Sequence, residues 1–192
     1  VYISNHRSII DFALVASLDL PRTRFFLSDS NRRYWPLKLL NLAVLIIFIP
    51  RQKYPEERAK IFREAEKALR ASGDSVYLTP EGAMIPRGRL APFHRGAFHL
   101  AMMLGYPISP FYIHVPRSVN VGRGFEARSG RIEVHFMEAI ETKGWRLEEL
   151  AERISEVQGK FEALEFRLEP ECASMELPRP DPSPSSGSRG GP

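Results

Sequence analysis

A histidine and an aspartate stand five positions apart in Asn5-His6-Arg7-Ser8-Ile9-Ile10-Asp11, between the apolar stretches VYI and FALVASL. Imidazole exchanges protons near neutrality because the reference pKa of histidine is ~6.5. A carboxylate bonded to one ring nitrogen fixes the tautomer and leaves the other nitrogen basic, so the pair would take a proton from a hydroxyl. The nearby hydroxyl, Ser8, is occupied if it caps a helix, and the attacking group would then come from a substrate. A purely structural reading also exists, since Ser8-Ile9-Ile10-Asp11 fits the S-x-x-D capping box. The two readings are compatible. Residues five apart on one helix point roughly 140° apart, so the pair meets only with His6 in the loop before the helix and Asp11 in its first turn. There the helix dipole favours the ionised carboxylate.

Two further stretches place polar chemistry at strand ends. In Ser75-Val76-Tyr77-Leu78-Thr79-Pro80-Glu81-Gly82 an apolar strand runs into a carboxylate, and α/β sheets bind ligands at the carboxyl ends of their strands. An ordinary Pro/Gly turn is the plain alternative. In Phe48-Ile49-Pro50-Arg51 a cation follows a buried run, and a solvated arginine is the plain alternative. His6, Arg51 and Glu81 would thus be delivered to one sheet edge.

The elements that must position them alternate. Short apolar runs separated by helical patterns predict an α/β fold with a mostly parallel central sheet flanked by helices, in a single domain. The expected strands are Val1 to Ser4, Arg24 to Ser28, Ala43 to Ile49, Ser75 to Thr79, Ile108 to Val115 and Arg131 to Met137. Helices are expected over Ile9 to Leu18, Trp35 to Leu40, Pro55 to about Ala71 with Gly73 as its stop, and Gly96 to Leu104. Leu147, Leu150, Ile154, Val157, Phe161 and Leu164 form a 3-4-3-4-3 seam on an acidic helix expected to pack on the domain. From Pro170 onward Pro, Ser, Gly and Arg dominate, which predicts disorder. The organisation read is therefore a folded domain over 1–168 and a disordered tail over 169–192.

At 192 residues and 43% apolar content the chain can bury one sizeable core. Its single cysteine, Cys172, excludes an internal disulfide framework. No apolar run approaches the ~20 residues that span a bilayer. The chain opens almost inside a strand and so reads as a domain cut from something longer. Residues 1–140 carry 20 Lys and Arg against 12 Asp and Glu, and residues 141–192 carry 7 against 11. A basic main body fits an anionic partner such as a phosphate, a coenzyme or a lipid headgroup. Nucleic acid is not expected, because finger spacings, RNA-recognition signatures and basic helices interleaved with aromatics are absent.

Taken together, the motifs resemble those of the glycerolipid acyltransferases, the 1-acyl-sn-glycerol-3-phosphate (lysophosphatidate) acyltransferase-like family. Asn5, His6 and Asp11 match its Asn-His-x4-Asp block, LIIFIPR with Arg51 its second, and LTPEG with Glu81 and Gly82 its third. APFHRGAFHLA is similar to the phenylalanine, basic residue and glycine that lead into a family helix. YPISPFYI, with Pro107 and Pro110, is similar to its fourth block, and GRIEVHFMEAIET to its last strand. The resemblance covers roughly residues 2–160.

It implies a membrane-associated O-acyltransferase of phospholipid biosynthesis at the cytoplasmic face of a membrane. His6 would activate a lysolipid hydroxyl that attacks acyl-coenzyme A or an acyl carrier protein, with Asp11 orienting the ring. Arg51 would hold the acceptor phosphate. Asn5, Glu81, Gly82 and Pro110 would shape the substrate site, and no cofactor or metal is implied. In place of the family's usual Thr-Arg after Pro-Glu-Gly, Ala83-Met84 follow here, which leaves Arg87 or Arg89 as candidates for that phosphate contact. Where relatives often carry a lysine, FFLSDSNRR supplies Asp29, Arg32 and Arg33, pointing to a different lysolipid such as an aminoacyl lipid. The same fold could instead serve as a non-catalytic lipid- or partner-binding domain, or direct water in a thioesterase or other hydrolase.

Overall fold

The computed structural model describes residues 1–29, 46–50, 54–86, 89–120, 126–173 and 175. Their strands are β1 (Tyr2–Ser4), β2 (Thr23–Ser28), β3 (Ile46–Ile49), β4 (Ser75–Leu78), β5 (Ser109–His114) and β6 (Glu133–Phe136). The helices are α1 (Asp11–Ser17), α2 (Pro55–Ser72), α3 (Gly96–Leu104), α4 (Leu150–Leu168) and the short α5 (Pro170–Ala173), with a 3-10 turn over Leu147–Glu149 leading into α4. The described strands form one sheet in the order β3-β2-β4-β1-β5-β6. All pairings are parallel except β5 with β6. The α/β class with a mostly parallel, helix-flanked sheet is the one expected.

Alternation along the strands explains the layers. Ile3, Phe26, Val76, Leu78 and Tyr112 enter the larger core with Ala65 and Leu69 of α2, Phe98 and Ala101 of α3, and Val157 and Phe161 of α4. Phe25, Tyr77, Phe111 and Ile113 point the other way and pack with Val15 of α1. With both faces covered, the strands read as continuous apolar runs rather than alternating ones. Gly96 lets α3 approach α2, since a Cβ there would stand 3.1 Å from the Phe62 ring.

Several expected boundaries shift. Helix α1 begins at Asp11, two residues later than expected, with Ile10 as N-cap and no side-chain cap. Ser8 is not that cap; its Oγ accepts the Ile10 N–H at 3.2 Å and donates to Asn120 at 2.7 Å. The seam packs on the domain as expected, except that Leu147 is exposed in the 3-10 turn. Beyond α4 a further turn follows in which Cys172 is buried. The expected Trp35 to Leu40 helix, Ala43 to Leu45 of the third strand, and the tail from 176 lie outside the described residues. No described helix is long and apolar enough to cross a membrane.

Candidate active site

The site forms where β1 and β4, neighbours in the sheet, release their carboxyl ends. Asn5 is the last residue tied to the sheet, through its side chain. Its Nδ2 donates to the Ile113 carbonyl at 2.9 Å and its Oδ1 accepts the Ile113 N–H at 2.8 Å. Fully buried and engaged at both ends, Asn5 extends the β1–β5 ladder. The backbone is thereby free to turn away, and His6 emerges one residue later.

His6 and Asp11 meet as their spacing requires. The ring Nδ1 lies 3.0 Å from Asp11 Oδ2. The same oxygen accepts the backbone N–H groups of Arg7 at 2.8 Å and Ser8 at 2.9 Å. The Ser8 contact is one half of a capping box; the reciprocal serine bond is not formed because Ser8 Oγ bonds Ile10 and Asn120 instead. A carboxylate only accepts, so with the ring neutral the hydrogen of this pair sits on Nδ1 and Nε2 keeps its lone pair. Asp11 is 1% exposed at its side chain and His6 28%, so the charge is dry while the ring meets solvent.

Glu81 clamps a second loop to the first. Its Oε1 accepts the His6 N–H at 2.8 Å and its Oε2 the Ala91 N–H at 3.0 Å, and the side chain is buried. The Ile85 N–H adds a 2.8 Å bond to the His6 carbonyl. Glu81 therefore ties the two loops together through backbone amides, with both its oxygens engaged. Burial pushes its carboxyl up from 4.5 to about 7, against the pull of the two amides and of Arg7 and His6.

That shift has a stability consequence. The folded chain holds the Glu81 proton more tightly than the unfolded chain, so the group's contribution is full below pH 4.5 and is lost as pH rises through about 7. Urea midpoints of the wild type should therefore fall more steeply from pH 4.5 to 8 than those of Glu81→Gln. Parallel curves would contradict the assignment.

The other sequence-derived positions fall as follows. Gly82 is exposed and turns the chain at φ +67°, a conformation natural to glycine. Pro110 is buried within β5 in register with Ile3, its carbonyl accepting the Met137 N–H. Arg89 is half-buried directly before Leu90. Arg51 and Arg87 lie outside the described residues, although β3 does end at the same sheet edge as β1 and β4. Among the described residues no cluster of three or more His, Cys, Asp or Glu side chains is arranged to hold a metal ion.

Two residues not singled out from the sequence stand behind the site. Arg7 is buried and its Nη2 donates to the buried Glu165 of α4, while its Nη1 donates to the Ile85 carbonyl at 3.2 Å. Burial opposes the guanidinium charge, but Tyr112 and the carboxylates Glu81, Glu165 and Glu169 outweigh it and hold Arg7 protonated more firmly than usual. The available signal for Glu165 is its spacing: it continues the apolar seam four residues after Phe161, where a carboxylate needs a buried partner.

The family model described as Acyltransferase matches residues 1–114. The 1-acyl-sn-glycerol-3-phosphate acyltransferase beta of Homo sapiens is 30% identical over 146 residues, 75% of this chain and 51% of that protein. The 1-acyl-sn-glycerol-3-phosphate acyltransferase of Cocos nucifera is 25% identical over 154 residues, 78% of this chain and 48% of that one. The chain thus spans about half the length of these relatives. In fold it is similar to the crystal structure of the 1-acyl-sn-glycerophosphate (LPA) acyltransferase PlsC from Thermotoga maritima. The TM-score is 0.67 at 21% identity, covering 85% of this chain and 65% of the other.

Proposed function

Since this chain belongs to the acyltransferase family, we propose that it transfers a fatty acyl group from acyl-coenzyme A or an acyl carrier protein to the hydroxyl of a lysophospholipid-type, lysophosphatidate-like acceptor. Acyl transfer in general rests on the family and the relatives; acceptor, donor and residue roles are the proposal. The observation that carries it is the partly exposed His6 ring held at Nδ1 by the buried Asp11 carboxylate.

In this mechanism His6 Nε2 takes the acceptor's hydroxyl proton as its oxygen attacks the thioester carbonyl carbon. The carbonyl electron pair moves to oxygen and then returns as the carbon–sulfur bond breaks. The departing sulfur recovers the proton from Nε2, giving an acyl ester and a free thiol. Asp11 stabilises the transient imidazolium and keeps the ring in one orientation.

Phosphate recognition is assigned to Arg51, with Arg87 or Arg89 replacing the arginine that Met84 displaces. Strands β2 and β4 separate β3 from β1, roughly 14 Å at ~4.8 Å per strand. With the phosphate on the carbon next to the one that bears the reacting hydroxyl, Arg51 would have to reach inward from β3 and the acceptor lie between it and His6. Arg51→Ala should raise the acceptor KM by about tenfold or more, as expected for a lost charge-assisted contact of ~1.5–3 kcal/mol, and leave the thioester KM within about twofold. Equal effects on both substrates would remove Arg51 from this role. The site would work at a membrane surface on the cytoplasmic side, where lysolipids present their headgroups.

Ala83-Met84 in place of Thr-Arg favours a second reading, a lipid-binding domain without catalysis. One assay separates these readings and a hydrolase. Incubation with labelled acyl-coenzyme A and a panel of lysolipids should yield acylated lipid; free fatty acid alone would indicate hydrolysis, and bound but unchanged lipid a binding domain.

A further inference from the structure

Glu81 and Glu165 come from distant parts of the chain, yet they grip the same two segments in parallel. Glu81 accepts the N–H of Ala91; Glu165 accepts the N–H of the preceding residue, Leu90, at 3.1 Å. With its second oxygen Glu81 holds the His6 N–H, and Glu165 receives the guanidinium of the following residue, Arg7. Two consecutive residues of the histidine loop are therefore bridged to two consecutive amides of the loop after Pro-Glu-Gly. Arg7 also binds the Ile85 carbonyl, and the Ile85 N–H binds the His6 carbonyl. Packing alone would not call for this, since a buried ion pair is commonly matched or bettered in stability by apolar residues of similar volume. Helix α4 lies beyond residues 1–114, so this contact is not part of what the family model matches.

We infer that Glu165 is a positioning residue for the proposed transfer: through Arg7 and the Leu90 amide, α4 sets the place of the His6 ring relative to the loop that follows Gly82. The inference rests on His6 acting as the base. A displacement of about 1 Å at a reacting group costs on the order of 10²-fold in rate, and the peptide carrying the imidazole is shared with the residue Glu165 holds.

The test compares the full chain with Glu165→Gln and with the double variant Arg7→Met/Glu165→Leu. Acyl-transfer kinetics, thermal melting and the 15N and 1H resonances of the His6 imidazole are measured for each. Glu165→Gln should lose about 10–100-fold in kcat with both KM values within about twofold, and its bonded Nδ1–H signal should weaken or move. The apolar double variant removes both buried charges but strands the Leu90 amide, so it should stay folded with a modestly lowered melting temperature and still show the low kcat. A double variant with near wild-type kcat, or a His6 spectrum unchanged in Glu165→Gln, would overturn the inference and leave Glu165 a structural residue. If the wild type acylates no lysolipid, the proposed function fails separately, and the imidazole spectrum alone decides whether Glu165 positions the ring.

Discussion

Replacing His6 with alanine should lower kcat for acyl transfer by about 10²–10⁴-fold, the usual contribution of a general base, while the chain folds as before. The ring is partly exposed and its hydrogen bond to Asp11 is its described side-chain contact, so its loss removes little packing. The backbone groups of residue 6, which bond Glu81 and Ile85, are kept by alanine. Acceptor and thioester affinities should therefore change little. Product formation by the purified variant, measured beside its circular dichroism and melting curve, is the check. A folded His6→Ala chain that retains wild-type kcat would remove the proposed base.

The second large effect is expected at Asp11, where two substitutions separate charge from structure. All three donors reach one oxygen, Oδ2, and the other oxygen, Oδ1, is buried with no hydrogen-bond partner among the described residues. The Arg7 and Ser8 amides would hold the carboxamide oxygen of Asp11→Asn in the Oδ2 position. The ring then keeps its tautomer, the negative charge is lost and the carboxamide nitrogen takes the buried, partnerless Oδ1 position; kcat should fall by about 10²-fold, at the low end of the general-base range. Asp11→Ala removes the acceptor itself and strands two buried amides, at about 1–3 kcal/mol each. It should lose stability in addition to kcat. Melting temperature and kcat measured together on both variants test this; an alanine variant as stable as the asparagine one would mean the two amides find other partners.

How much of this is legible in the sequence depends on range. The parallel sheet is readable because strands covered on both faces leave nearly unbroken apolar runs such as SVYL and PFYI, and because Gly73 and Gly105 mark helix ends. Asp11 in the first helical turn and His6 just outside it are what the spacing demands if the two side chains are to meet, and they do meet. The helix start differs from the expected one because Ser8 offers the side chain of an N-cap, and only the fold reveals Asn120, 112 residues away, competing for its hydroxyl. Asn5, Glu81 and Pro110 are legible from the motifs they sit in, but the backbone bonds that each makes are not. Arg7 and Glu165 are 158 residues apart, and no local pattern joins them. Only a carboxylate falling on the apolar face of α4 hints that a buried cation stands opposite.

The side-chain bridge from Asn5 to Ile113 bears on how the site breathes. Backbone segments that exchange their amide hydrogens slowest sit in the middle of a sheet, and loops open far more easily. Here a loop residue is fastened into β5, the strand next to β1, one peptide bond before the imidazole. Local fraying of the histidine loop is therefore expected to stop at residue 5, so that the proposed base shares the slow exchange of the strand behind it.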